Sequence, residues 1–193
     1  WKQVEQLEIA DTPKSALEVV TQIEAKAKAE NNQAQLIKTL LFKSKFSLIL
    51  EEDALLKVIR DFEELINKSE APSKNVLQNM LAKLYWDYFS SNRYKFYNRT
   101  KTENKVDKTD FRTWDLETLF AEISLHYQQS LENQLVLKIT TTEAFEPILT
   151  TYEDSKKLRP TLYDFLAHNA LAFYKTTENS ITKPSYAFEI SEA

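Results

Sequence analysis

The chain contains no glycine, although a protein of 193 residues would carry about 14 at average usage. Glycine supplies backbone positions with positive φ and positions that leave no room for a Cβ atom. Its absence excludes P-loops, glycine-rich dinucleotide turns and EF-hand loops, because each needs glycine at a fixed position. Type I′ hairpins also lose their usual Asn-Gly and Asp-Gly turns. We therefore expect a helical chain.

Cysteine is absent as well, which excludes disulfides, thiol nucleophiles, cysteine-based zinc sites and iron–sulfur clusters. The formal net charge of −4 argues against a nucleic-acid partner, since such proteins usually carry a basic balance. No apolar run approaches the roughly 18 residues that a membrane span needs. We predict no cofactor, no nucleic-acid partner and no membrane-spanning segment in this chain.

The apolar residues that are present recur at i, i+3 or i+4, and i+7, the pattern of helices with one buried face. Thr12 and Pro13 suit the start of a helix, and Asn31-Asn32 suits its end. Further boundaries are predicted at Ala71-Pro72-Ser73, at Asp115 and at Arg159-Pro160-Thr161. The predicted apolar stripes are Ala16, Val20, Ile23 and Ala27; Ile37, Leu41, Ser44 and Leu48; Leu55, Ile59, Phe62 and Ile66; Leu77, Leu81, Leu84 and Tyr88; Leu116, Leu119, Phe120 and Ile123; and Leu162, Leu166, Ala170 and Phe173.

Short polar connections between such helices favour antiparallel neighbours. We predict an all-α fold of stacked antiparallel helical hairpins, a tetratricopeptide-like superhelix or bundle. We expect a single domain over 1–193 and, because the sequence begins at Trp1 and not at Met, a piece of a larger chain whose targeting signal is out of view. Residues 98–113 are predicted as a polar loop and 178–193 as an extended tail. The Trp-Leu-Gly-Tyr signature of tetratricopeptides is missing, so the repeat class stays open.

Seven of the fifteen residues from Tyr85 to Arg99 are aromatic, with basic residues between them. The aromatics on the apolar stripe are expected in the core, whereas others fall partly off it. Because aromatic residues and arginine are enriched at interfaces, the off-stripe set predicts a partner surface. That surface comprises Trp86, Arg93, Tyr94, Tyr97 and Arg99.

Both histidines lie four residues after a carboxylate, in the pairs Glu122–His126 and Asp164–His168. Carboxylate and imidazole are suitable ligands for zinc or iron, so the two pairs are candidates for a metal site. The ordinary interpretation is a pair on one helix face, worth about 0.2–0.5 kcal/mol. We favour that interpretation and predict no metal site and no catalytic residue.

Several strings together are similar to the N-terminal helical region of the large alpha-2-macroglobulin-like proteins of Bacteroidetes. They are Ala34-Gln35-Leu36-Ile37-Lys38, Leu81-Ala82-Lys83-Leu84-Tyr85-Trp86-Asp87-Tyr88, Asn92-Arg93-Tyr94-Lys95, Asn98-Arg99-Thr100, Phe111-Arg112-Thr113-Trp114-Asp115 and Arg159-Pro160-Thr161-Leu162-Tyr163-Asp164-Phe165-Leu166-Ala167-His168-Asn169-Ala170-Leu171. The resemblance implies a non-enzymatic protein of the cell envelope, periplasmic or extracellular, whose relatives trap or block proteases. The thioester of some relatives needs a cysteine, so none of that chemistry can reside in this chain.

The leading hypothesis is thus a scaffold or interaction module whose partners are the remaining domains of its own chain, a protease or an envelope protein. A free-standing helical-repeat adaptor that binds peptides or glycans near Tyr94 and Tyr97 is the alternative. A metal-dependent enzyme using His126 and His168 is the third.

Overall fold

A computed structural model describes residues 1–97, 107, 109–150, 152, 154–176 and 178, and these residues confirm the all-α prediction. The helices are α1 (Lys2–Ile9), α2 (Pro13–Ala29), α3 (Gln33–Leu50), α4 (Ala54–Lys68), α5 (Ser73–Tyr97), α6 (Leu116–Ser130), α7 (Gln134–Ile139), α8 (Ser155–Leu158) and α9 (Leu162–Tyr174). Two 3₁₀ segments, Phe111–Thr113 and Thr142–Ile148, lie between them. No helix within the described ranges is long and apolar enough to cross a membrane.

From α1 to α5, each helix packs against the next one along the chain, up to α6. This sequential packing is what hairpins joined by short connections require. Helix α9 then contacts α5, α6 and α7, and the 3₁₀ segment Thr142–Ile148 returns to α3. Helix α5 is therefore enclosed on several sides, by α4, α6 and α9, and forms the centre of the fold.

The chain makes its tight helix ends with Asp and Asn where other proteins use glycine. Asp11 and Asn31 have φ of 52° and 51°, in the left-handed region. At the end of α2 the Asn31 and Asn32 amides donate to the carbonyl oxygens of Lys28 and Ala27, the two bonds of a Schellman motif. The predicted stop at Asn31-Asn32 is confirmed, with Asn31 in the position glycine usually holds.

The predicted helix starts at Thr12, Asp115 and Thr161 are confirmed, but the side-chain contacts differ from one start to the next. Asp115 accepts a hydrogen bond from the Thr118 amide at 2.7 Å, as an N-cap does. Thr161 forms a reciprocal capping box with Asp164. Thr12 stands at the N-cap position, yet its hydroxyl donates back to the Leu7 carbonyl oxygen of α1.

The hydrophobic core has two parts. The larger part involves α3 to α7 and α9, and it contains most of the predicted stripe residues of α4, α5, α6 and α9. The smaller part joins α1, α2 and α3 around Val4, Val20 and Phe46. Leu48, predicted on the buried stripe of α3, is exposed instead, because the buried face of α3 turns towards Phe46 and Ser47 near its end.

Three segments differ from the sequence predictions or lie wholly or partly outside the described residues. Helix α1 has no counterpart among the predicted stripes. Within the predicted loop 98–113, Phe111 is buried and begins a 3₁₀ turn, whereas 98–106 and 108 lie outside the described residues. Of the predicted tail 178–193, only Glu178 is described.

Candidate functional site

The predicted partner surface divides at a kink in α5. Asn92 has non-helical angles (φ −124°, ψ 21°), and its side-chain amide donates to the Tyr88 carbonyl oxygen at 2.9 Å. A side chain that takes an i−4 carbonyl in this way bends a helix. Trp86 therefore lies on the straight part of α5, and Arg93 and Tyr94 follow the kink.

Trp86 is half-buried and packs among core aromatics. Its ring centroid lies 5.3 Å from that of Phe89, 6.0 Å from Phe120 and 5.4 Å from Phe173. These distances fall in the range of favourable aromatic pairs. One side of Trp86 nevertheless faces a groove described below, so it combines core packing with a place on a surface.

The other residues of the predicted surface are placed differently. Arg93 lies over the Phe89 ring at 5.7 Å and pairs with Glu178 at 3.4 Å. Tyr94 is 65% exposed. Tyr97 is the last residue of α5, with no description of its side chain, and Arg99 lies outside the described residues. Among the described side chains of this set, Tyr94 is the exposed aromatic.

A groove of about 550 Å³ opens between α5, α9 and residues 148–150, with α3 and α4 at its base. This volume lies within the ~300–1,000 Å³ typical of binding pockets. Apolar side chains form most of its walls: Leu41, Phe62, Met80, Leu84, Trp86, Ile148, Leu149, Phe165 and Phe173. Two of the strings that carry the family resemblance, 81–88 and 159–171, supply facing walls of this one groove.

A network of asparagines fixes the two walls relative to each other. The Asn79 side-chain amide donates to Ser130 Oγ at 3.1 Å and to the Leu166 carbonyl oxygen at 3.2 Å. Its Oδ1 accepts a hydrogen bond from Asn169 Nδ2 at 2.9 Å. Asn79 is buried, and its three bonds tie α5 to α6 and α9. Sequence reasoning missed both asparagines, since nothing in the apolar pattern marks a buried polar residue.

The charged groups at the groove already pair with each other. Lys83 Nζ lies 2.5 and 2.7 Å from the two carboxylate oxygens of Asp87, one helical turn along α5. Both side chains are exposed, so the pair contributes little to stability. It leaves the groove with little charge to attract an ionic ligand.

The two histidine–carboxylate pairs differ, despite equal spacing. His126 Nε2 lies 3.2 Å from Glu122 Oε1, as the spacing predicts. The Asp164 carboxylate instead accepts hydrogen bonds from the Thr161 amide and hydroxyl, while His168 contacts Arg159 at 2.9 Å. Across the described part of the chain, no group of three histidine or acidic side chains could hold a metal ion.

Arg112 connects the turn before α6 to the α3–α4 connection. Its guanidinium bonds both oxygens of Asp110, at 2.9 and 2.8 Å, and Asp53 Oδ1 at 2.7 Å. The hydrogen bonds that Arg112 donates to Asp110 are the main reason why the pKa of the Asp110 carboxyl lies below its usual value. The string 111–115 therefore has a structural role. Phe111, next to Arg112, packs its ring against those of Tyr85 and Tyr88.

No protein-family model, curated protein sequence or solved structure matches this chain. The family resemblance consequently depends on the sequence strings alone.

Proposed function

We propose that this chain is a non-catalytic scaffold and protein-interaction module from the N-terminal part of a bacterial alpha-2-macroglobulin-like, protease-trapping protein of the cell envelope. The observation that supports it best is the convergence of two resemblance strings on one apolar groove. Binding surfaces commonly have an apolar centre with aromatic residues, and Trp86 and Phe165 supply these.

The occupant of the groove is an apolar segment from the remaining domains of the same full-length chain. The groove walls carry aliphatic and aromatic side chains, and the Lys83–Asp87 pair neutralises the charge at the rim. A charged ligand would find no unpaired charge there, whereas large apolar side chains would bury area against both walls. In this role the domain positions the body that captures the protease.

Ala172 offers a direct test, because it lines the groove yet is exposed on α9. Ala172→Arg in the full-length protein places a long charged side chain in the groove without removing a core residue. We expect reduced protease capture, measured as the fraction of protease that becomes trapped, with an unchanged unfolding midpoint. Ala121→Arg is the matched control, since Ala121 is an exposed alanine on α6 outside the groove.

Equal capture by the two arginine variants would contradict the groove assignment. Deletion of residues 1–193 from the full-length protein is a second test. If the full-length protein without them captures protease and binds its partners as before, the proposal of a scaffold is wrong.

The exposed Tyr94 favours one other function, binding of a peptide or glycan beyond the kink of α5. Lys95 Nζ lies 5.8 Å from the Tyr94 ring centroid, so an aromatic face and a cation stand together on this surface. Tyr94→Ala distinguishes the two functions. It should leave protease capture unchanged if the groove is the functional surface, and abolish binding of an isolated peptide or glycan if the adaptor function holds.

A further inference from the structure

A second cavity, of about 440 Å³, lies between α4, α5 and α6, and it is polar. It shares no lining residue with the apolar groove. The proposed scaffold function does not involve this cavity, so an inference about a ligand of the cavity does not depend on that function.

Asn75 and His126 line this cavity as buried polar residues. They are 2% and 7% exposed. The Asn75 amide nitrogen lies against the C-terminal end of α6, where it donates to the main-chain oxygens of Gln129, Ser130 and Glu132 at 3.3, 3.2 and 2.9 Å. These three bonds fix the orientation of the side chain. They leave Asn75 Oδ1, an acceptor, buried without any hydrogen-bond donor.

His126 presents a second acceptor. Its Nδ1 contacts Gln78 Oε1, which only accepts, so Nδ1 carries the ring proton. In the neutral ring Nε2 is then an acceptor. It lies 3.2 Å from Glu122 Oε1, but no hydrogen bond joins the two atoms. When the ring is neutral, two acceptors thus face each other, and unsatisfied buried groups of this kind are rare in folded proteins.

The rim of the cavity is acidic. Glu63, Glu122 and Glu132 line it, against the single ammonium group of Lys74 among its described lining residues. Partial burial raises the pKa of the Glu63 carboxyl; the charge of His126 opposes this rise, and the charge of Glu122 adds to it. The three carboxylates at the rim and the unpaired acceptors of the cavity together favour a ligand that brings both positive charge and hydrogen-bond donors.

We propose that this cavity binds an organic cation with several N–H donors, a guanidinium or primary ammonium group, between the Glu63 and Glu122 carboxylates and the acceptors of Asn75 and His126. An anion would meet acceptors and carboxylates of its own sign. The same cationic group can come from a free small amine or from an arginine or lysine side chain of another protein, and the test separates these sources.

Calorimetric titration of the purified protein at low salt tests the proposal, with three probes. N-acetylarginine amide represents an arginine side chain, agmatine represents a free amine with the same guanidinium group, and N-acetylcitrulline amide is the neutral analogue of similar shape. We expect saturable binding of a guanidinium probe at millimolar concentration or below, and binding of the citrulline analogue at least about tenfold weaker, since charge-assisted bonds are lost. Tighter binding of the arginine amide than of agmatine assigns the site to a protein side chain, and the reverse order assigns it to a free amine.

Glu63→Gln removes one rim charge while keeping the size of the side chain. It should weaken binding about fivefold or more. Glu64→Gln is the matched control, because Glu64 is the neighbouring residue of α4 and does not line this cavity. In NMR spectra of the labelled protein, the Asn75 side-chain amide and the His126 ring should shift with the same saturation curve.

Three results would overturn the proposal. The first is equal binding of the citrulline and arginine probes. The second is the same affinity in Glu63→Gln and Glu64→Gln. The third is no saturation up to about 10 mM, with Asn75 and His126 unshifted, which would leave water as the partner of the buried acceptors.

Discussion

Replacement of Asn79 by alanine is predicted to destabilise the fold by about 3 kcal/mol. Asn79 makes three buried hydrogen bonds, to Ser130 Oγ, the Leu166 carbonyl oxygen and Asn169 Nδ2. Each is worth about 1 kcal/mol net. Ser130 Oγ also donates to the Tyr127 carbonyl oxygen at 2.7 Å and keeps that partner in the variant. Among the three hydrogen bonds of Asn79, the one to Ser130 therefore costs the least to lose. Asn169 Nδ2 is half-buried and loses its acceptor, which adds to the cost.

Urea unfolding followed by circular dichroism measures this free energy, provided that the denaturant slope stays unchanged. Asn67→Ala is the control, because Asn67 is exposed on α4 and its replacement should change stability by less than about 0.5 kcal/mol. In a double-mutant cycle, Asn79→Ala and Asn169→Ala should show a coupling of about 1 kcal/mol. A total cost below about 1 kcal/mol for Asn79→Ala would refute the role of this network in joining α5 to α9.

Three further predictions concern helix ends and acid stability. Asn31→Ala should cost about 1 kcal/mol and Asn31→Gly should not, because the position has φ of 51°; thermal unfolding of both variants measures the difference. Thr161→Ala should cost about 1 kcal/mol in urea unfolding, because it removes the capping box of α9; no loss would contradict the cap. Burial alone would raise the pKa of Glu24, but hydrogen bonds from Lys28 and Lys43 outweigh it and lower the pKa below 4.5. The charged form of Glu24 therefore contributes stability that is present at pH 7 and lost as the pH falls through the lowered value, so Glu24→Gln should lose less stability than the parent between about pH 5 and pH 3.

The helices with one buried face were predictable because their signal is local. In the predicted stripe of α4, Ile59, Phe62 and Ile66 are buried and Leu55 is half-buried. Helix α1 was not predicted, since it is short and buries only Val4. Where a helix packs on several sides, as α3 does, the period of apolar residues no longer identifies one face, and the position of Leu48 was wrong for this reason.

The polar interior of α5 could not be predicted from its own sequence. Asn75, Gln78 and Asn79 lie close together on the helix and would be assigned to solvent by their polarity. They are buried because their partners in α6 and α9 come from distant parts of the chain. Neither the groove walls nor the polar cavity exists until those helices are packed.

The two histidine pairs show how local competition changes a spacing rule. Glu122 and His126 meet as the i, i+4 spacing predicts. Asp164 has the same spacing to His168, but it stands three residues after Thr161, the signature of a capping box. The sequence contained the capping-box signal, and the Asp164 carboxylate accordingly bonds to Thr161 and not to His168. Trp86, which lies partly off the predicted stripe, is half-buried, and its ring packs against Phe120 and Phe173 of the core.

Site-specific photo-crosslinking from the groove tests the central claim most directly. A crosslinking amino acid at Ala172 of the full-length protein probes the groove, and the same amino acid at Ala121 probes an exposed face of α6. We predict that the Ala172 probe captures an apolar segment from a downstream domain of the same polypeptide, identified by mass spectrometry, and that the Ala121 probe does not. No crosslink from Ala172, or the same products from both positions, would contradict it.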